Sequence, residues 1–444
     1  MQHMKTGAGL VGLILTICCS NLGAQDKAAA DLAAGKQAYR DGRYREAEEF
    51  DRSALASLER VLTPDSPEIA DCKNALASVY AAKGKYTQAE DLFRQALQAW
   101  EKAPGTELSM AATLSNLGVA LRLQAKYSEG ESVQKRSLAM FEKIAGPDDP
   151  RTATSLNNLG ELYSAEGKLE ESETCLRRAV TIRDKALGEN DVDTALALAG
   201  LGEVYKQQGR YDEAAQVLER SRSIAEKRLN PMHPRLAIVL NNLGSVYATQ
   251  HKYKEAHELL QRVIGIDEAV YGWNHPETAS GLMNLASLEF GRHKYKQATE
   301  LNRRALAISE PLLGSDHPTV ALNLNNLGAA LVGMRNFSEA ESVLKLALKV
   351  SERPGHGERP YLPELLENLG YVHTVTGRYS EAIEIYKRAI QLREARLGPN
   401  SPKLIRLLHQ YAEALRKMQD YASAEKADVR ALGIEVRSVL RRSS

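Results

Sequence analysis

The chain has 444 residues, 43% hydrophobic but only 6% aromatic, with 58 Lys+Arg against 57 Asp+Glu. The apolar share is enough for a folded core, and a core of Ala, Leu and Gly with few large rings suits closely packed helices. Near-neutrality argues against nucleic-acid binding, for which such a solenoid would carry a basic stripe.

The N-terminus reads MQHMKTGAGLVGLILTICCSNLGAQDK, with Lys5 ahead of an apolar run from Ala8 to Cys19. Leu22-Gly23-Ala24 then offers small residues for cleavage before Gln25. The run is too short for a comfortable membrane span, and its order of regions is that of a secretory signal. Residues 1–24 are therefore expected to be a signal peptide, cleaved near Ala24, and the mature protein to be periplasmic or secreted. The alternatives are an uncleaved anchor or a lipoprotein acylated at Cys18 or Cys19, although bulky Ile17 fits a lipidation signal poorly. Membrane contact is expected only if this segment is retained or lipidated. Cys72 and Cys175 remain in the mature chain. Their separation by more than a hundred residues argues against a disulfide or redox pair.

From about residue 28 onward one phrase recurs. LNNLG begins at Leu156, Leu240 and Leu324, and the surrounding columns repeat every 42 residues, with one step of 41 between Tyr86 and Tyr127. Ten copies are expected: 25–66, 67–107, 108–149, 150–191, 192–233, 234–275, 276–317, 318–359, 360–401 and 402–444. A small-residue column runs through Gly35, Ala77, Gly118, Gly160, Gly202 and onward to Ala412. A second small column, twelve residues later, includes Ala47, Gly130, Ser172 and Ala214, and an aromatic column between them runs from Tyr44 to Tyr421. At about 100° per residue, Leu156, Leu159, Gly160 and Tyr163 share one stripe, as do Tyr211, Ala214, Leu218 and Ser221. Each copy is thus two amphipathic helices. Glycine inside a helix costs roughly 1 kcal/mol relative to alanine, so the small columns mark close helix approach.

Two kinds of punctuation separate the helices. Gly42, Gly84, Gly167, Gly209 and Gly377 stand where a helix would end in a left-handed cap, and His251 and His293 fill the same column as turn substitutes. Between copies sit Ser66-Pro67, Asp149-Pro150, His233-Pro234, His275-Pro276, His317-Pro318, Arg359-Pro360 and Ser401-Pro402, which predict helix starts.

These columns resemble the tetratricopeptide repeat, most closely the 42-residue version found in kinesin light chains. The resemblance implies an all-α, right-handed superhelical solenoid that binds other proteins or peptides. It also implies that the first helix of each pair lines a concave groove. Asn158 points away from the core stripe of its helix, so Asn116, Asn158, Asn242, Asn284, Asn326 and Asn368 would stand along that groove, flanked by Asn157, Asn241 and Asn325. Amide side chains both donate and accept, so such a ladder could pair with the backbone of an extended peptide. Local bonds to a neighbouring helix are the other reading. Gaps at Ala75 and Gly200 favour a continuous site from Asn242 to Asn368. The predicted lining mixes Glu161, Glu203, Glu364 and Glu413 with Arg122, Lys206, Arg406 and Lys417. That mixture departs from the acidic-peptide grip that kinesin light chains imply.

No phosphate loop, metal-ligand set or nucleophile elbow is present, so neither enzymatic activity nor a cofactor is expected. His233, His275 and His317 stand at equivalent junctions of successive copies, a structural placement. Trp273 is expected to be exposed by its linker position, where it could anchor a partner or pack over the neighbouring helix end. Stability in such an array is a sum of repeat and neighbour terms, so the first and last copies should loosen first. Partner, pathway and oligomeric state leave no mark in the sequence.

Overall fold

The computed structural model describes residues 5–352 and 361–443. Among these are twenty helices and no strand, with 82% of the chain helical. Most of the expected signal segment lies outside the residues whose side chains are described, and so does the Arg359-Pro360 junction. Among the described residues no helix is long and apolar enough to cross a membrane.

In every copy the second helix begins on the aromatic column, from Tyr44–Leu58 to Tyr421–Ser443, with Leu169 the one aliphatic member. The turn before it sets this start. Gly42, Gly84, Gly167, Gly209 and Gly377 all take positive φ, and so do Ala125, His251, His293, Arg335 and Gln419, at φ 59 to 64. The next N–H then returns to the first helix, as when Lys168 N donates to Tyr163 O at 2.9 Å and Arg210 N to Tyr205 O at 2.8 Å. That is a helix C-cap closed by a left-handed residue. His251 and His293 are turn substitutes, as expected, each accepting a backbone strain of about 1 kcal/mol.

The junctions form helix starts, with one exception. Ser66, Asp149, His233 and His317 precede a proline and accept an N–H of the first helical turn through the side chain. His275 does the same from Glu277 N at 3.2 Å. After Ser401-Pro402 the helix begins only at Leu404, and its Lys403 cap makes no side-chain bond.

The close approach marked by the glycines is a knob in a hole. A Cβ built on Gly202 would lie 2.4 Å from Leu218 Cγ, and one on Gly160 2.7 Å from Leu176 Cγ. Gly244 receives Leu260 in the same way, and Gly328 receives Leu344. The knob always stands sixteen residues after the hole, on the second helix of the same copy. Four knob positions are polar: Asp51 over Gly35, Gln134 over Gly118, and, in sequence register, Asn302 opposite Ala286 and Asp428 opposite Ala412. Gln134 is satisfied on one side, donating from Nε2 to Ser115 O at 2.9 Å. The second small column seats beside the hole, where Ser172 Oγ donates to Gly160 O at 2.6 Å.

Successive copies are also joined by charge along the turn edge. Lys168 pairs with Glu131, Arg210 with Glu173 and Arg378 with Glu341, at 2.8, 2.8 and 2.5 Å. Each cation follows its own left-handed turn and reaches a glutamate of the preceding second helix. The cations beside Glu131 and Glu341 hold those carboxyls down at about 2.

The chain divides into two compact units, Met1–Thr278 and Ala279–Ser444. Within each, consecutive helices pack, and first helices of neighbouring copies also touch, whereas the second helices of neighbouring copies come no nearer than through them. First helices therefore crowd onto the inner face of each unit. Cys72 and Cys175 are separate thiols, and burial pushes them up to about 12 and about 11.

Replacing Gly202 with Ala tests the knob contact. Alanine is the better helix former, yet its methyl must displace Leu218, and a net loss of about 1–3 kcal/mol is expected in urea denaturation followed by circular dichroism. A gain in stability would show that the helices can part at no cost.

Candidate functional site

In the unit Met1–Thr278 the asparagine column is a seam between first helices. Asn158 Nδ2 donates to Ser115 Oγ at 2.9 Å, and Asn242 Nδ2 to Ala199 O at 3.1 Å. Both partners lie 43 residues earlier, on the preceding first helix. Asn116 Nδ2 reaches Ser78 Oγ at 3.5 Å. All three asparagines are half-buried.

The flanking column sits deeper than its sequence position predicts. Asn157 is buried and donates to Glu161 Oε1 at 2.9 Å, one helical turn on, while its Oδ1 has no partner among the described residues. Asn241 of the same flanking column is half-buried, as is Asn284 of the ladder column in residues 279–444. Several of the charges predicted to line the first helices are already paired. Arg122 pairs with Glu161 at 2.9 Å, Lys206 with Glu203 at 2.7 Å, and Arg406 with the buried Glu367 at 2.6 Å.

The unit Ala279–Ser444 is different. Among the described residues, Asn326 and Asn368 have no hydrogen-bond partner. Both line a cavity of about 240 Å³ on the first-helix face, together with Asn302, Asn325, Glu364 and Arg406. Asn325 and Asn302 are 4% and 2% exposed, and the Oδ1 of each is buried without a partner. Asn302 belongs to a second helix and was absent from the predicted ladder. Its signal in the sequence is a break in the knob column, where Leu176, Leu218, Leu260 and Leu344 are otherwise the rule from the fourth copy to the eighth.

The junction histidines do more than start helices. Within residues 1–278, His233 Nε2 lies 2.9 Å from Arg40 O and His275 Nε2 2.8 Å from Ala82 O, each 193 residues away. Since Nδ1 accepts the capping N–H, Nε2 carries the proton and donates. Pro234 and Pro276 cover Gly42 and Gly84, where a Cβ would come within 2.8 and 2.9 Å of the rings. Tyr271 stacks on His275 with centroids 4.0 Å apart and on Tyr44 at 5.5 Å. The first two copies are thus stapled to the starts of the sixth and seventh. Burial holds His275 down at about 4 and shifts His233 in the same direction. Trp273, beside this junction, is 70% exposed, as its linker position predicts.

A family model described as tetratricopeptide repeat matches residues 26–102, 109–185, 158–227, 193–269, 277–353 and 361–434. The chain belongs to the tetratricopeptide repeat family. Its repeats are protein–protein interaction modules, and the family is one of non-catalytic scaffolds. Among solved structures the chain is similar to BtubC (BKLC) from P. vanneervenii, at 22% identity over 50% of this chain and 90% of that one, with a TM-score of 0.41. It is also similar to a putative kinesin light chain of nearly identical repeats from Podosopora anserina, at 25% identity over 46% and 96%, with a TM-score of 0.37. A comparison with curated proteins finds no match.

Two outcomes separate these roles. Asn158→Ala should lower stability by about 1 kcal/mol through its lost bond to Ser115, whereas Asn326→Ala should leave it within about 0.5 kcal/mol, both read from urea midpoints. For His275, the folded chain holds the neutral ring and the unfolded chain protonates near pH 6.5. Stability is therefore complete above that pH and drains as pH falls towards 4, by roughly 3 kcal/mol. His275→Ser keeps a cap but should flatten that part of the pH profile, and an unchanged profile would sever the staple from acid lability.

Proposed function

We propose that this tetratricopeptide protein is an exported scaffold that holds an extended peptide segment of a partner against the first-helix face of residues 279–444. One observation carries the reading: Asn326 and Asn368 keep their amides free of hydrogen bonds among the described residues, beside a cavity on that face. The corresponding Asn158 and Asn242 have committed their N–H groups to the preceding helix. Asn284 apart, the predicted ladder thereby divides into structural rungs, Asn116, Asn158 and Asn242, and binding rungs, Asn326 and Asn368, with Asn325 behind them. A preformed face spares a bound peptide part of its ordering cost. The mixed charge of the face favours contacts to backbone over contacts to an acidic tail. Export rests on the order of regions in residues 1–24.

The test is affinity capture from extract of the native host, with residues 25–444 as bait beside the same bait carrying Asn326→Ala and Asn368→Ala. A partner held by the first and lost by the second, with helicity equal by circular dichroism, is the expected result. Equal retention would place the partner on the outer surface. Mass spectrometry of the purified native protein should find Gln25 first, and an acylated Cys18 would establish the membrane-anchored form instead.

A further inference from the structure

The seventh copy departs from its neighbours at the contact that organises them all. In the fourth, fifth, sixth and eighth copies a leucine knob fills a glycine hole. Here the knob position holds Asn302 and the hole position Ala286. Asn302 is 2% exposed, yet its amide has no hydrogen-bond partner among the described residues, and its Oδ1 is fully enclosed. Asn325, from the first helix of the next copy, is 4% exposed and equally unpaired. Both line the same cavity of about 240 Å³, with Phe290 and Ala329 on its walls.

A buried amide without a partner is costly, and a leucine at position 302 would remove that cost. The cavity's chemistry says what would satisfy the pair. Two carboxamides ask for a group that donates and accepts at once. Glu364 and Arg406 stand on the same lining with opposite signs, so the cavity selects neither a cation nor an anion. Phe290 and the two alanines suit a short methylene stem. The space of about 240 Å³ is enough for a side chain.

We propose that this cavity receives the side-chain carboxamide of a glutamine or asparagine in the bound peptide. The site thus reads one residue of a partner whose backbone the neighbouring asparagines hold. The inference rests on the peptide reading above and adds its specificity.

The test is selection from a displayed library of random nine-residue peptides on two proteins. One is the full mature chain, and the other carries Asn302→Leu with Ala286→Gly, which recreates the leucine–glycine contact of the other copies and should fold at least as stably by thermal denaturation. Peptides selected on the first should share a Gln or Asn at one position, and replacing it by Leu should weaken binding by about tenfold or more. Peptides selected on the variant should lose that preference while still binding. Shared peptides with equal affinity for both proteins, or selected peptides without a carboxamide in common, would overturn the inference and leave the groove intact. Failure of either protein to select any peptide would overturn the groove reading and this inference with it.

Discussion

The structure depends on how closely two helices of one copy can approach. A glycine on the first helix removes the only atom that would keep the second away, and a knob sixteen residues later takes its place. Once that pair is seated, helix spacing is fixed and the left-handed turn has one path to follow. The aromatic column then falls at the start of the second helix. Most glycine holes take an aliphatic knob, and a large ring is accommodated at Gly370, which faces Tyr386. The helix-propensity penalty of glycine is offset by dispersion contacts that a wider spacing would lose.

Much of this was legible in the sequence because repetition averages out local noise. Ten turn residues align in one column, so even Arg335 and Gln419 can be assigned to a left-handed turn that neither type would suggest alone. The knob column was harder to see. Its members differ in type, Gln134, Leu176 and Tyr386 among them, and their common contact with a facing glycine is what identifies them as one column. Long-range contacts left no trace at all. His233 and His275 were readable as helix starts through their prolines. Nothing in a local pattern says that their other ring nitrogen meets a carbonyl 193 residues earlier.

The asparagines show why one column can carry two roles. Where the preceding helix offers a hydroxyl or an uncovered carbonyl, as Ser115 and Ala199 do, the amide is drawn into the fold. In residues 279–444 Asn326 and Asn368 find no such partner, and the same side chains line open space instead. Residue identity fixes what an amide can donate and accept, and the neighbour 43 residues back decides whether it is already engaged.

The staples at Arg40 and Ala82 change the physics of the array they belong to. A solenoid whose copies touch only their neighbours frays from either end, one copy at a time. Here the N-terminal copies cannot peel away without also releasing the starts of the sixth and seventh, so this end should loosen later than a nearest-neighbour array would. The two contacts turn part of an open chain into a closed ring. Closing it demands loop entropy that purely local packing avoids. Residues 1–278 should therefore fold more slowly, and unfold more nearly all at once, than a nearest-neighbour array of the same length.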